Sequence, residues 1–444
     1  MAAFTSVAAA GGREPSLPQV HRSIALPRRG GPLSRLRRAF AFAGPGYLLA
    51  VGYMDPGKWA TSIAGGARYG FTLLSVVMMS SLLAMLFQAA AVRLGIASGR
   101  DVAQACRDHF PARVNLALWA LSEVAIVACN LAEVLGMAIG LNMMFGIPMT
   151  AGVCITVADL LLILALQRKG FRVIEALVTA LVAVIAVCFA MQLVWLQPPW
   201  PTVFAGLLPS PSMVGDKHML YLAVGIVGAT VMPHNLYLHS SIVQTRASDE
   251  SSAGCREAIR LATVDSTLAL GLALLVNAAI LMLAACAFHR SGMTAVASLF
   301  DACRLLSPVM GVGLASAVFG IALLASGLSS SVTGTLAGQI VMEGFLKIAM
   351  SAPRRALLTR LLAVGPAIVC TAFYGSRGAE GLLVFSQVVL SLQLPFALVP
   401  LLMFTTRRRH LGTLAFGKPF SVVLWITAAA VIALNVWMLA QLAA

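Results

Sequence analysis

The chain has 444 residues, 59% of them hydrophobic and 11% charged, with a mean hydropathy of +0.90. A soluble domain is near half apolar and about a quarter charged, so this composition excludes an ordinary cytosolic enzyme, a nucleic-acid binder and a disordered protein. The 31 basic residues against 16 acidic ones give a net charge of +15, which in so apolar a chain points to loops held on the cytoplasmic side of a membrane.

Residues 1–38 are rich in Pro, Gly and Arg and contain no apolar run long enough for a signal peptide. A disordered basic cytoplasmic tail is expected there, its charges setting topology and its last Arg cluster within reach of anionic lipid. Eleven apolar stretches follow, at about 40–69, 71–95, 114–144, 146–166, 173–197, 219–245, 258–288, 309–346, 356–374, 380–404 and 419–442. The stretch 309–346 is long for one span and is expected to run on into the cytoplasm, whereas 293–307 reads as a short interfacial helix. With the N-terminus inside, 25 Lys and Arg fall on the inner side against 5 outside, with Lys58 alone inside a span. That bias predicts a cytoplasmic N-terminus and an extracytoplasmic C-terminus. A compact chain without a targeting peptide suits a bacterial inner membrane. The eight cysteines are scattered singly, without a CxxC or a Cys/His cluster, and read as free and mostly buried thiols.

Two spans carry polar chemistry at their centres. In the first, GPGYLLAVGYMDPGKWATSIAGGARYG (44–70), Asp55 is followed at once by Pro56 and Gly57. Proline removes an N–H and clashes with the preceding turn, so the helix breaks and leaves carbonyls at the end of one half and N–H groups at the start of the other. A carboxylate beside such carbonyls is a hard-oxygen cation site; the plainer alternative is a kink with Asp55 capping the second half-helix. In the sixth span, LAVGIVGATVMPHNLYLHSSIVQTR (222–246), Pro233 sits between Met232 and His234. Breaks at corresponding positions of two halves point to an inverted-repeat transporter with a midplane site. Met232 would add a soft thioether, favouring Mn²⁺ or Fe²⁺ over Ca²⁺ and Mg²⁺.

DPGKWATSIAGG (55–66) closely resembles the DPG-Asn motif in the first helix of the Nramp (MntH-type) divalent-metal transporter family, and MPHNLYLHSS (232–241) matches that family's sixth-helix motif. NLAEVLGMAIGLN (130–142) and SQVVLSLQLPFALVP (386–400) extend the similarity over about residues 40–440. The resemblance implies an all-α membrane protein with a LeuT-like inverted repeat of five plus five helices (about 40–197 and 219–404), helices 1 and 6 broken at the midplane, and an eleventh helix (about 419–442). It implies proton-coupled uptake of Mn²⁺ and Fe²⁺, with metal and proton as substrates and no cofactor; a monomer in the bilayer is expected, since the GxxxG-like spacings read as close helix packing rather than homodimer faces. Carried onto this chain, the implied metal ligands are Asp55, Met232, Gln387 and the carbonyls of Gly52 and Ala229. Glu133, His234 and Arg360 would lie on or near the proton route, and His239 matches the family's second histidine.

Two positions depart from the pattern. The family has Asn where this chain has Lys58, and an ammonium cannot ligate a metal. The family usually has Asp where this chain has Asn130, which cannot carry a proton. A unit charge about 4 Å from Asp55 would contribute about 4 kcal/mol at an effective dielectric of about 20, competing with a divalent ion. Lys58 could therefore act as a neutral amine, act as a fixed counter-charge, or snorkel into an aqueous vestibule. Glu123, Asp159 and Asp265 could carry protons, although charged groups near helix ends more often cap or pair. Ser329, Ser330, Ser331 and Thr333 are expected to hydrogen-bond backbone or neighbouring helices. Three functions thus stand side by side: a proton-coupled metal transporter, a metal sensor or transporter of altered coupling and selectivity, and a sodium-coupled organic-solute symporter of the same fold. A membrane enzyme is not favoured, because no Gly-rich phosphate loop, HExxH or nucleophile elbow is present.

Overall fold

Long apolar runs punctuated by Gly and Pro give helices that satisfy their own backbone polar groups, as a hydrocarbon environment requires. The computed structural model describes residues 16–17, 20–27, 37–38, 40–247, 249, 251–296, 298–347 and 352–443. Among these residues eleven spanning units follow one another. The first is two half-helices, Pro45–Gly52 and Pro56–Tyr69, and the second is Leu74–Ser98. Ala112–Phe145 is the third, Met149–Ile155 with Val157–Arg168 the fourth, and Phe171–Leu196 the fifth. The sixth is again broken, into Lys217–Thr230 and Pro233–Ile242. Ser252–Ala284 and Ala315–Leu346 are the seventh and eighth. The ninth and tenth, Pro353–Gly375 and Gly378–Thr406, are parted at Gly375, whose φ of 61° is open to glycine. Lys418–Ala443 is the eleventh.

The helix expected to continue past a span at 309–346 starts only at Ala315. Residues up to Met310 belong instead to a separate short helix, Leu299–Met310, closed by Gly311 in the left-handed region, so the interfacial helix lies further along than 293–307. Cys255, expected in a loop, lies in the first turn of the seventh-span helix. Five of the eight free cysteines are buried, while Cys154 is exposed.

The third span packs against the eighth, ninth and tenth, and the seventh packs against the second and both halves of the first. The two broken spans lie between these groups. Of the most apolar stretch of the sixth span 94% is buried, against 28% in the fourth and eleventh, whose outward apolar side chains face the lipid region.

The start of the first span is tied down by polar groups. Arg246, 2% exposed, donates to Glu175 Oε1 at 2.7 Å and to the carbonyls of Ala43 (2.9 Å) and Ala41 (3.2 Å). Asp265 accepts from Gly46 N–H at 2.7 Å, capping the half-helix. Part of the expected disordered tail is also ordered: Ile24–Ala25 pairs in parallel with Arg246–Ala247, and Arg38 meets Glu257 at 3.0 Å. Ser16 donates to Asp101, whose carboxyl burial pushes up to about 6. Disorder therefore does not hold for these stretches, while residues 1–15, 18–19 and 28–36 of the expected tail lie outside the described residues.

Removing one partner of a buried ion pair costs about 3–5 kcal/mol. Arg246→Ala should therefore lower the thermal unfolding midpoint in detergent clearly, and Arg246→Lys by less. An unchanged midpoint in Arg246→Ala would show that this network contributes no stability.

Candidate functional site

The two helix breaks are built alike. A helical carbonyl normally accepts from the N–H four residues on, but four residues after Gly52 is Pro56 and four after Ala229 is Pro233. Neither carbonyl can be met in that way. Carbonyls further into the first break are used: Asn277 Nδ2 donates to Tyr53 O at 2.9 Å, and Trp59 Nε1, at 2.9 Å, and Ser326 Oγ both donate to Met54 O. Asp55 caps the second half-helix, its Oδ1 accepting from Lys58 N–H at 3.0 Å. Met232 holds the corresponding capping position in the sixth span and makes no side-chain cap. The cap reading of Asp55 and the cation-site reading are thus compatible, because the cap engages Oδ1.

Side chains from three spans meet at these breaks. Gln387 Nε2 approaches Asp55 Oδ2 at 3.4 Å and donates to Ser386 Oγ at 3.1 Å. It lies so close to Gly57 that a Cβ there would stand 1.8 Å from it, and a Cβ on Gly228, beside Ala229, would be 2.9 Å from Gln387 O. Asn235 joins the other pair: its Nδ2 donates to Met232 Sδ at 3.6 Å and would stand 2.4 Å from a Cβ on Gly52. Asp55, Lys58, Ala229, Met232, Asn235 and Gln387 are all fully buried, so the site is sealed from both faces. The oxygens Gln387 Oε1 and Asn235 Oδ1 have no hydrogen-bond partner among the described residues. The cluster therefore offers one carboxylate, two amide oxygens, two open carbonyls and one thioether, a mostly hard donor set with one soft member. No group of three or more His, Cys, Asp or Glu converges among the described residues.

Lys58 is buried in the same place, and its Nζ has no hydrogen-bond partner among the described residues. It does not reach a vestibule, so the snorkelling alternative is overturned: the half-helix that starts at Pro56 directs its first turn into the bundle.

The residues expected on a proton route form two separate clusters. In one, Arg360 lies 3.7 Å from Glu133 Oε2, and Cys129 Sγ lies between Glu133 Oε1 (3.4 Å) and His234 Nε2 (3.5 Å). In the other, His239 Nδ1 meets Gln88 Oε1 at 3.0 Å, and Gln88 Nε2 meets Tyr53 Oη at 2.6 Å. Asn130 donates to Ile126 O along its own helix at 3.0 Å. Asp159 pairs with Arg360, Asp265 caps the first span and Glu123 accepts from Trp119 at 3.1 Å. Ser329, Ser330 and Thr333 donate to their own helix, and only Ser331 crosses to a neighbour. Sequence reasoning missed Asn235, Cys129, Gln88 and Tyr53 as members of these clusters. Asn235, a polar residue two places after a mid-span proline, carried a usable signal; the others became visible only through packing.

Two centrally broken helices five spans apart, enclosing a sealed polar cluster, define an inverted-repeat membrane transporter of the LeuT-like class, with an eleventh helix appended. The profile of the family described as "Natural resistance-associated macrophage protein-like" (Nramp) matches residues 46–441. The "Divalent metal cation transporter MntH" of Bradyrhizobium diazoefficiens is 55% identical over 426 residues, covering 96% of this chain and 94% of the relative. The protein of that name from Nostoc sp. is 53% identical over 427 residues, covering 96% of each. The crystal structure of the Eremococcus coleocola manganese transporter superposes with a TM-score of 0.88 at 39% identity, over 95% of this chain and 90% of that one. The chain belongs to the Nramp family. A nucleobase-cation-symport-1 transporter, Mhp1, at 16% identity and a TM-score of 0.55, shares the fold alone.

Gly57→Ala puts a methyl group where the Gln387 amide now sits. The amide is the end of a flexible side chain and can yield, so the fold should survive while Gln387 leaves Asp55. Mn²⁺ affinity, read by calorimetric titration of the purified protein, should fall about tenfold, equivalent to about 1.4 kcal/mol. Native affinity in Gly57→Ala would place Gln387 outside the binding geometry.

Proposed function

We propose that this protein carries divalent transition metal ions, Mn²⁺ and Fe²⁺, inward across the cell membrane by symport with protons. The observation that carries the reading is the meeting of two proline-broken spans around a buried carboxylate, two amides and a thioether. Membership of the Nramp family and relatives named as divalent metal cation transporters support it. The ligands are Asp55, Met232 Sδ, Gln387 Oε1 and the carbonyls of Gly52 and Ala229. Their hard oxygens would bind any divalent cation, and the thioether selects against Ca²⁺ and Mg²⁺. Because the cluster is sealed on both sides, transport requires the half-helices to open alternately to each face. Glu133, with Arg360 and His234 around it, is the first proton carrier. His239 acts apart from that route, through Gln88 and Tyr53.

A second reading, weak coupling or altered selectivity, is favoured by Lys58, whose buried Nζ has no hydrogen-bond partner among the described residues and would repel a divalent ion whenever it is protonated. A positive charge beside Asp55 stabilises the carboxylate when the site is empty and repels an incoming divalent ion. Uptake into reconstituted liposomes tests both readings. Asp55→Ala should abolish Mn²⁺ uptake, and Met232→Ala should erode discrimination against Ca²⁺ more than it slows Mn²⁺. Lys58→Asn, which exchanges the repelling charge for an amide oxygen, should lower the KM for Mn²⁺ by about tenfold or more. No Mn²⁺ uptake by either the native chain or Lys58→Asn would exclude the transporter reading. Equal KM values in the two would exclude the counter-charge role.

The chain acts as a monomer in the bilayer, with two repeats at about 40–197 and 219–404, its N-terminus cytoplasmic and its C-terminus outside. Cys255, half-buried at the start of the seventh span, then lies on the cytoplasmic side. An impermeant thiol reagent should label it only after cells are permeabilised, with the signal absent in Cys255→Ser. Labelling of intact cells would invert the topology.

A further inference from the structure

Arg360, 3% exposed, is a buried guanidinium with a carboxylate on either side. Its Nη2 donates to Asp159 Oδ2, to Ser331 Oγ at 2.8 Å and to Thr156 O at 3.3 Å. Ser331 Oγ donates in turn to Asp159 Oδ2 at 2.7 Å. On the other side, Nη1 lies 3.7 Å from Glu133 Oε2, within ion-pair range but without a hydrogen bond. Nε and Nη1 have no hydrogen-bond partner among the described residues, and each carboxylate keeps one oxygen, Asp159 Oδ1 and Glu133 Oε2, that has none either.

One cation and two carboxylates leave one negative charge in excess, deep in a low-dielectric interior where an unpaired charge is expensive. A single proton shared between the two carboxyl groups neutralises the set. Each group has an unpartnered oxygen to receive it, and the guanidinium has unused N–H groups with which to follow the remaining charge. The other charged groups nearby are engaged elsewhere. On the eighth span Glu343 is held by Arg355, and on the fifth Arg172 and Glu175 bind the start of the first span with Arg246. On the Glu133 side the titratable neighbours are Cys129, His234 and Asp55. Asn130, whose Oδ1 stands beside the Glu133 carboxylate at Gly334, bears no proton.

We propose that Asp159, in the fourth span, is the second proton carrier of the transport cycle, exchanging one proton with Glu133 across Arg360. In the step, the O–H bond of Glu133 breaks as an O–H bond forms on Asp159. Arg360 then transfers its ion pair from Asp159 to the newly charged Glu133, and no net charge is created. This inference rests on the proton-coupled reading above.

The test uses the full-length protein in liposomes loaded with a pH-sensitive dye, with Mn²⁺ uptake and internal acidification recorded together. Asp159→Asn should keep Mn²⁺ uptake within about threefold of native while the protons moved per Mn²⁺ fall about tenfold or more. Asp159→Glu, which retains the carboxyl group and the ion pair, should keep the ratio. It should also shift a protonated-carboxyl band in the Mn²⁺-induced infrared difference spectrum, a readout that remains if Asp159→Asn does not fold. Three results overturn the assignment: a native ratio in Asp159→Asn, parallel loss of Mn²⁺ and proton movement at constant ratio, or no band shift in Asp159→Glu. Native liposomes that take up Mn²⁺ without any acidification overturn the proton-coupled reading itself, and this inference with it; native acidification with an unchanged ratio in the variant overturns only Asp159.

Discussion

The structure depends on what proline cannot do. Pro56 and Pro233 have no N–H, so the carbonyls of Gly52 and Ala229 lose the partners that a continuous helix would supply. Open carbonyls inside hydrocarbon would be costly, and the fold answers by bringing both breaks to one place and surrounding them with polar side chains. Asn277, Trp59 and Ser326 satisfy the adjacent carbonyls of Tyr53 and Met54. Glycines at 52, 57 and 228 let Asn235 and Gln387 come up against the backbone, where any Cβ would intrude.

Charge placement follows from the same economy. Most buried ionisable groups are gathered into sets rather than dispersed: Asp55 and Lys58 share one half-helix start without a hydrogen bond between their side chains, Glu133 lies with Arg360 and Asp159, and Arg246 lies with Glu175 near Asp265. The third set fastens the first half-helix to the fifth and seventh spans and to the end of the sixth. The segment around Ile24–Ala25 adds a short parallel pairing at the same place. The half-helix that must move for the sealed cluster to open is therefore held at its end by an ion-pair network and not by apolar packing alone.

Much of this was legible in the chain itself. Eleven apolar runs, the breaks at Asp55-Pro56 and Met232-Pro233, and the motif resemblance led to the fold and to the family before any coordinates. Hydropathy and proline act locally, over a few residues, so a linear reading captures them. The same reading placed the eighth span's start too early. Hydropathy does not distinguish Val309–Met310, which end a short helix, from Ala315 onward, which begins a span; Gly311 and the packing of the two helices decide it. The tail composition pointed to disorder, but backbone pairing with Arg246–Ala247, more than 200 residues away, is invisible to composition.

What the sequence determined by itself is therefore the class of molecule, the location of its polar centre and the identity of its unusual residues, Lys58 and Asn130. The first two follow from residue type and near-neighbour spacing, the third from the motif resemblance. Only the tertiary structure decided which groups meet. It buried Lys58 without a partner, turned Asn130 along its own helix, set Asn235 between Gly52 and Met232, and gave Arg360 to Asp159 as well as to Glu133. Arg360 and Asp159 are 201 positions apart in the chain. No local rule links such residues; the packing of the fourth span against the ninth does, because a buried guanidinium must be met by whichever carboxylate the neighbouring helices bring within reach.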